Sequence, residues 1–239
     1  MLLKNTEQTA ENEELIWNFL EERIANPFGV AGLMGNLYAE SALNPRNLQQ
    51  TFERSLGFTD DSYTAAVDDA SYNNFATDGA GYGLAQWTFR TRKAALMNYA
   101  HAQRASIGNL SMQLGFLWQE ISCSYPGVAS ALKTAESVRE ASDVVLTKYE
   151  QPANQGDSVK KLRASYGQKY YDRYAVKAKE ETDMKRYNTV DECPKWARKP
   201  LQILIDKGYL RGRDNGQLDL SDDMIRVLII CGRMRGVLK

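Results

Sequence analysis

The clearest structural pattern in the larger part of this chain is Gly32-Leu-Met-Gly-Asn-Leu-Tyr-Ala-Glu-Ser-Ala-Leu-Asn-Pro45. Apolar residues at positions 30, 33, 34 and 37 repeat with the period of one helix face. Asn26-Pro27 offers an N-cap and a proline for the first helical position, whereas Asn44-Pro45 ends the helix. We therefore predict an amphipathic helix, and we expect Gly32 and Gly35 to let another backbone pack closely against it.

Glu40 continues the apolar face of this helix near its C-terminal end. Leu33, Leu37 and Glu40 are spaced four and three residues apart, which places their side chains on one side of the helix. Apolar surroundings and the negative end of a helix dipole both disfavour an ionised carboxyl group. A carboxyl group that stays protonated can donate its proton to a glycosidic oxygen. The spacing therefore suggests a catalytic acid, and its alternative is a half-exposed glutamate at a helix end.

Helical periodicity extends to both sides of this stretch, so the fold class is predicted to be mainly α. Apolar residues recur at helical spacing in residues 15–20, 92–103, 110–121, 137–145 and 159–170. Residues 46–88 show no sustained period and are rich in Asp, Tyr, Gly and Thr. We expect irregular structure with a small hairpin in that segment.

The segment Asp78-Gly-Ala-Gly-Tyr-Gly-Leu-Ala-Gln-Trp87 interleaves glycines with aromatic residues. Its inner glycines would permit the close approach of a ligand. Tyr82 and Trp87 could stack on sugar rings, and Gln86 could form a hydrogen bond with an N-acetyl group. The alternative is a glycine-rich hairpin around a core tryptophan. A phosphate loop is excluded, because the segment lacks the pattern G-x-x-x-x-G-K-[ST].

The composition of the 239 residues removes several classes of enzyme. The chain has one histidine, His101, whereas zinc amidases and zinc peptidases normally use two or more histidine ligands. It also has no G-x-S-x-G elbow for a serine nucleophile. The three cysteines are far apart in the sequence and form no C-x-x-C motif. Carboxyl groups remain as the catalytic reagents, and we predict no metal and no cofactor.

The motifs GNLYAES and GYGLAQW together resemble the phage tail lysozyme and endolysin families of the lysozyme-like superfamily. In these families a helix ending in Glu-Ser precedes a glycine-rich G-x-G-L-x-Q segment, and goose-type lysozymes and soluble lytic transglycosylases share this arrangement. Lys148-Tyr-Glu-Gln-Pro152 is similar to a Tyr/Phe-Glu-x-Pro element that comes late in such domains. The resemblance covers roughly residues 10–175. It implies that Glu40 is the general acid and that Tyr82 and Gln86 line a glycan groove.

A second carboxylate is not fixed by the resemblance. The acids between the two motifs are the candidates, namely Glu53, Asp60, Asp61, Asp68, Asp69 and Asp78. We favour Asp78 because it leads directly into the glycine-rich segment that is expected to face Glu40. Glu53 is the second choice, and together with Ser41 and Trp87 it is expected to contact the substrate.

The C-terminal part differs from the rest in charge. Residues 185–239 contain 12 lysines and arginines against 7 aspartates and glutamates, so their net charge of +5 stands against −5 in the rest of the chain. Pro194 and Ser221 each begin a helical pattern, and Gly208 ends the first of them. This tail is similar to S-layer-homology-like modules, although it has one copy and lacks an Ile-Thr-Arg-Ala-Glu-like stretch. The resemblance implies binding to an anionic secondary wall polymer. The alternative is a helix pair that only packs or forms a homo-oligomer.

These patterns predict a lysozyme-like hydrolase domain with a small hairpin region in residues 1–178 and a two-helix module in residues 187–239, separated within the polar run 177–186. The predicted function is that of a phage-type endolysin, a bacteriolytic glycosidase that hydrolyses the β-1,4 bonds of peptidoglycan. One alternative is a lytic transglycosylase, which leaves 1,6-anhydro ends. Another is a non-catalytic glycan-binding or virion structural protein. We expect no nucleic-acid partner.

The N-terminal residues contain no apolar core of a signal peptide. No segment approaches the roughly 18 apolar residues of a membrane span, so no membrane insertion is expected. We therefore expect synthesis in the host cytoplasm. Action on the bacterial cell wall would follow release from the cytoplasm or assembly into a virion.

Overall fold

The computed structural model describes residues 2–176, 185–213 and 216–238, with the side chains of the first range described from residue 11 onward. It divides into two compact units, Met1–Val176 and Lys177–Lys239. Among the described residues, no helix is both long and apolar enough to cross a membrane. The predicted boundary run 177–186 falls largely on residues outside the described ranges.

The first unit is built almost entirely from helices, so the predicted mainly α class is confirmed. Its helices are α1 (Leu2–Ile24), α2 (Pro27–Ser41), α3 (Gln50–Leu56), α4 (Asp60–Asp68), α5 (Arg90–Gln103), α6 (Leu110–Ser124), α7 (Pro126–Thr134), α8 (Val138–Val144) and α9 (Asp157–Tyr170). A π-helical turn, Val145–Glu150, continues α8, and a second one, Tyr171–Val176, continues α9. In the described residues, β structure is limited to isolated bridges.

Helix α2 is the central helix of this unit and packs against α1, α7, α8 and α9. Three glycines spaced three residues apart make this close packing possible. A Cβ atom on Gly29 would lie 2.0 Å from the Leu132 carbonyl oxygen of α7. A Cβ atom on Gly32 would meet α8, and one on Gly35 would lie 2.5 Å from the Arg163 carbonyl oxygen of α9. The prediction that Gly32 and Gly35 allow another backbone to approach is confirmed.

The ends of α2 follow from local sequence. The Asn26 side chain accepts a hydrogen bond from the Phe28 amide, and Pro27 occupies the first helical position, as predicted. At the other end, Ala42 and Leu43 adopt left-handed backbone conformations with φ of 52° and 61°. The chain therefore turns sharply directly after Ser41, and Glu40 is left at the last turn of the helix.

The segment 46–88 contains more helix than predicted. Helices α3 and α4 lie within it, and Thr59 and Ser62 form a reciprocal capping box at the start of α4. These helices are too short to show a sustained apolar period, which is why the sequence pattern missed them. The expected small hairpin is reduced to isolated bridges, in which Tyr82 pairs with both Leu48 and Trp87.

The second unit has a small apolar core of its own. A 3₁₀ turn, Val190–Glu192, precedes helices α10 (Lys195–Asp206) and α11 (Asp222–Met234), and Ser221 caps α11 as predicted. The core consists of Tyr187, Cys193, Ala197, Leu201, Leu204, Leu220, Ile225, Ile229 and Leu238. The sequence Arg213-Asp-Asn-Gly216 is typical of a turn, but its residues 214 and 215 lie outside the described ranges.

Candidate active site

An open, mainly polar cleft of about 490 Å³ lies at the C-terminal end of α2. Residues from several separate parts of the first unit meet there, because the end of α2, the start of α3, the glycine-rich segment, the first turn of α5 and the turn after α8 converge. The lining residues are Glu40, Gln49, Ala85, Gln86, Thr88, Phe89, Arg92, Glu150 and Pro152.

Glu40 is held in this cleft by an ion pair. The Arg163 Nη2 atom of α9 lies 2.5 Å from Glu40 Oε1, and the Glu40 side chain keeps 19% of its surface exposed. Arg163 also donates a 3.2 Å hydrogen bond from Nη1 to the buried Asn36 side chain. The Asn36 amide group in turn donates to the Gly32 and Ser142 carbonyl oxygens. This network joins α2, α8 and α9, so the position of Glu40 depends on the packing of all three helices.

Glu150 is a second carboxyl group that lines the same cleft. It is the last residue of the π-helical turn, and Gln151 follows in a left-handed conformation with φ of 48°. The Glu150 Oε1 atom is buried and has no hydrogen-bond partner. Burial raises the pKa of Glu150 well above its ordinary value, and the charge of Glu40 raises it further. The positive charges of Arg92 and Arg163 oppose this shift only in part.

A third acid, Glu120 of α6, lies behind the cleft and is fully engaged. Its carboxylate accepts two 2.7 Å hydrogen bonds from Arg92, one from Tyr149 and one from Trp87. Burial alone would raise the pKa of Glu120, but the contacts with Arg92, Tyr149 and Trp87 outweigh it and lower the pKa. Arg92 therefore has its own carboxylate partner while its side chain borders the cleft.

A model of the phage tail lysozyme family matches residues 11–174, which include the whole cleft. The chain belongs to the phage tail lysozyme family. Members of this lysozyme-like phage family act on peptidoglycan. The matched residues do not extend to the C-terminal unit, and the likeness of that unit to S-layer-homology modules stays a prediction. A search of curated proteins finds no match to this chain.

In the first unit, the predicted site residues Gln86 and Ser41 lie at or beside the cleft. Gln86 lines it with an unusual backbone φ of 44°, and its amide nitrogen donates to Asn47 and to the Gly83 carbonyl oxygen. Ser41 is buried and donates 2.9 Å to the Leu84 carbonyl oxygen. This bond fastens the end of α2 to the glycine-rich segment, so Ser41 supports the cleft from beneath.

Tyr82 and Trp87, which were predicted to stack on sugar rings, are fully buried core residues of the first unit. Tyr82 packs against Tyr63 and Phe75, and its hydroxyl lies 2.7 Å from the Thr64 hydroxyl. Trp87 donates its indole N–H to Glu120. The space beside Gly81 and Gly83 is filled by glutamine side chains, because a Cβ atom on either glycine would lie 2.7 Å from a glutamine side-chain oxygen. The exposed aromatic residue at the cleft is Phe89, with 71% of its surface accessible.

Asp78 lies in a buried cluster and is not among the residues that line the cleft. Its side chain is 2% exposed, and Oδ1 lies 2.6 Å from the fully buried Lys93 Nζ atom. Tyr63 and Tyr72 both donate hydrogen bonds to Oδ2. The Ala80 backbone N–H donates to Oδ1. The carboxylate of Asp78 thus has four protein partners and fixes the start of the glycine-rich segment.

Glu53, the second choice for the second carboxylate, is a partly exposed residue of α3, and neither it nor the other candidates at positions 60, 61, 68 and 69 line the cleft. Sequence reasoning did not select Glu150, Arg92, Arg163 or Phe89 as site residues. A signal for Glu150 was present, since it is the glutamate of the Tyr-Glu-x-Pro element at 149–152. Within the described part of the chain, no group of three or more His, Cys, Asp or Glu is arranged to hold a metal ion.

Proposed function

We propose that this phage lysozyme is an endolysin-type glycoside hydrolase that cleaves the β-1,4-glycosidic bonds of peptidoglycan, with Glu40 as the general acid. The observation that supports this proposal most directly is the placement of Glu40. It lies at the end of the central helix, in an open polar cleft, beside a second carboxyl group. Most glycosidases use two carboxyl groups that flank the scissile bond as their catalytic groups.

The surroundings of Glu40 suit this role. Arg163 engages Oε1 and so fixes the orientation of the carboxyl group. We propose that Oε2 faces the glycosidic oxygen when a glycan strand fills the cleft. Gln86 and Gln49 offer amide groups at the cleft wall, and the exposed ring of Phe89 offers an apolar surface for a sugar ring. We propose that Ser41, Asp78, Tyr82 and Trp87 support this wall from within the core.

The test is digestion of purified peptidoglycan, followed as a loss of turbidity and by mass spectrometry of the released fragments. Hydrolysis of the β-1,4 bond predicts fragments with free reducing ends. Fragments with 1,6-anhydro ends would show instead that the chain is a lytic transglycosylase, in which Glu40 acts as acid and then as base. Walls that remain intact while they bind the protein would favour a non-catalytic glycan-binding or virion structural role.

We further propose that residues 187–239 hold the enzyme at the wall through anionic wall polymers. This unit carries most of the basic excess, and Trp196 is 51% exposed with the Arg226 guanidinium 5.5 Å from its ring centroid. Tethering would raise the effective concentration of the enzyme at its substrate. Because surface charge is screened at physiological salt, wall binding by the full chain should weaken as salt rises, more than in a chain truncated after residue 176.

An alternative role for this unit is self-association. The outward face of α11 carries the exposed apolar residues Met224, Val227, Ile230 and Met234. Sedimentation of the full and truncated chains distinguishes the two roles. A mass that falls to that of a monomer on truncation, without any change in wall binding, would replace anchoring by assembly. Release from the host cytoplasm or placement in a virion is part of either proposal.

A further inference from the structure

The charges around the cleft do not balance unless one carboxyl group is neutral. Three acids, Glu40, Glu120 and Glu150, face two arginines, Arg92 and Arg163. Arg163 forms its ion pair with Glu40, and Arg92 forms a double hydrogen bond with Glu120. Each arginine therefore has a carboxylate of its own. Glu150 has no arginine partner, so its ionisation would add a negative charge that neither arginine balances.

The contacts of Glu150 agree with this charge count. Its Oε1 atom is shielded from solvent and accepts no hydrogen bond, although an ionised carboxylate oxygen in that position would be strongly destabilised. The groups that face it from the packed elements are Glu40 of α2, Arg92 of α5, Glu120 of α6 and Arg163 of α9. The two acids among them repel a negative charge on Glu150, and the two arginines are already engaged.

The turn that carries Glu150 is unusual in a way that suits a functional residue. Six residues, Val145–Glu150, form a π-helical turn between α8 and the left-handed Gln151. Single π-helical turns inside helical segments are frequently found at functional sites. Here the turn ends with Glu150 and Pro152 both at the cleft wall, while its other face buries Val145, Leu146 and Tyr149 in the core.

We propose that Glu150 is the second carboxyl group of the reaction, an inference that rests on the proposed function. Glu40 and Glu150 hold one proton between them, and Glu150 carries it while the cleft is empty. Two neighbouring carboxyl groups commonly share a proton in this way. Arg163 places a positive charge against Glu40, whereas the Oε1 atom of Glu150 has no partner.

The proton balance of the reaction follows from this arrangement. When a glycan strand fills the cleft, the shared proton passes from Glu150 to Glu40, and Glu40 gives it to the glycosidic oxygen as the bond between that oxygen and the anomeric carbon breaks. The Glu150 carboxylate then takes a proton from the water molecule that attacks the anomeric carbon. In a lytic transglycosylase the 6-hydroxyl of the sugar replaces the water and gives its proton to Glu150. In both cases Glu150 ends the cycle protonated and Glu40 ends it ionised.

The first test measures protonation without activity. Infrared absorption of the protonated carboxyl group is compared at neutral pH between the wild-type chain, Glu150→Gln and the exposed control Glu136→Gln. The wild-type chain and Glu136→Gln should show the band, and Glu150→Gln should lose it. If Glu150→Gln does not fold, a pH titration of the wild-type band replaces it. That band should persist at neutral pH and disappear at higher pH. A wild-type chain without any such band at neutral pH would overturn the proposal.

The second test measures kcat and kcat/KM against pH on soluble peptidoglycan fragments. Loss of an acid–base group costs about 100-fold or more, so Glu150→Gln should lower kcat by that factor with KM nearly unchanged. The alkaline limb of its profile should move to lower pH, because the group that retains its proton at high pH is gone. Glu150→Asp should restore part of the rate and of the alkaline limb, which a purely structural role would not explain.

The outcomes separate this proposal from the function on which it rests. A folded Glu150→Gln enzyme that cuts glycan with a wild-type rate and pH profile would overturn the role of Glu150 and leave the proposed function intact. A wild-type chain that shows the infrared band but leaves glycan strands uncut would refute the proposed function. The role of Glu150 in catalysis would then fall with it, while its protonation would stand.

Discussion

Asp78 and Glu150 are both shielded carboxyl groups of the same unit, but their surroundings are opposite. Asp78 has a buried lysine at 2.6 Å and hydrogen bonds from two tyrosines. Glu150 borders an open cleft, its Oε1 atom has no hydrogen-bond partner, and Arg163 already forms an ion pair with Glu40. A buried acid with all its partners fixes the fold, whereas a buried acid that lacks them is held in its reactive, protonated form.

Removal of the lysine that neutralises Asp78 should have the largest effect on stability. We expect Lys93→Met to lower the free energy of unfolding by about 3–5 kcal/mol, because it leaves an uncompensated carboxylate in the core. Chemical denaturation measures the change. The control is Lys161→Met, which removes an exposed ion pair with Asp157 and should cost about 0–1 kcal/mol. Equal effects of the two substitutions would show that Asp78 is not held as the geometry implies.

Gly35 of α2 should affect both stability and activity, because it lets α9 bring Arg163 close to Glu40. The new methyl group of Gly35→Ala would lie 2.5 Å from backbone atoms of Arg163 and Gly167, so α9 must move. We expect a loss of about 1–3 kcal/mol of stability, together with reduced activity because Arg163 shifts away from Glu40. Gly127→Ala is the matched control, since a Cβ atom there meets nothing within 4 Å. A Gly35→Ala enzyme with unchanged stability and activity would contradict the close packing.

The smallest expected effect concerns Tyr82, whose ring belongs to the cluster around Asp78. Tyr82→Phe removes the buried hydrogen bond with Thr64 and should lower the free energy of unfolding by about 0.5–1.5 kcal/mol, with kcat/KM unchanged.

Phe89→Ala should have the opposite effect, because this exposed ring lines the cleft. Its KM should rise while its stability stays nearly constant. Thermal unfolding and steady-state kinetics measure both. A raised KM in Tyr82→Phe would show that Tyr82 contributes to glycan binding.

The sequence was sufficient to predict the features that depend on neighbouring residues. Helix α2, its Asn26 cap and its close-packed glycines follow from periodicity and from the local needs of a helix end. The position of Glu40 at that end follows from the same pattern. The short helices α3 and α4 escaped prediction because so few turns give no sustained apolar repeat.

The rest of the site depends on contacts between residues far apart in the chain. Asp78 was favoured because it begins the glycine-rich segment, but periodicity carries no information that Lys93 would be buried against it. Glu150 meets Glu40 only because α8 and its π-helical turn pack on α2, and Arg163 arrives from α9. The aromatic residues of the glycine-rich segment were equally compatible with a core and with a sugar-binding face. Burial decided between these two, and burial is a property of the assembled fold.

The most direct test of the account compares Glu40→Gln with Asp78→Asn at a temperature at which both variants are folded. If the chemistry resides in the cleft, kcat/KM of the folded Glu40→Gln variant on purified peptidoglycan fragments should fall by about 100- to 10,000-fold. Asp78→Asn should unfold more easily but keep a kcat/KM close to that of the wild type. A folded Glu40→Gln enzyme with near-normal activity, or a folded Asp78→Asn enzyme with an equally large loss, would contradict the account.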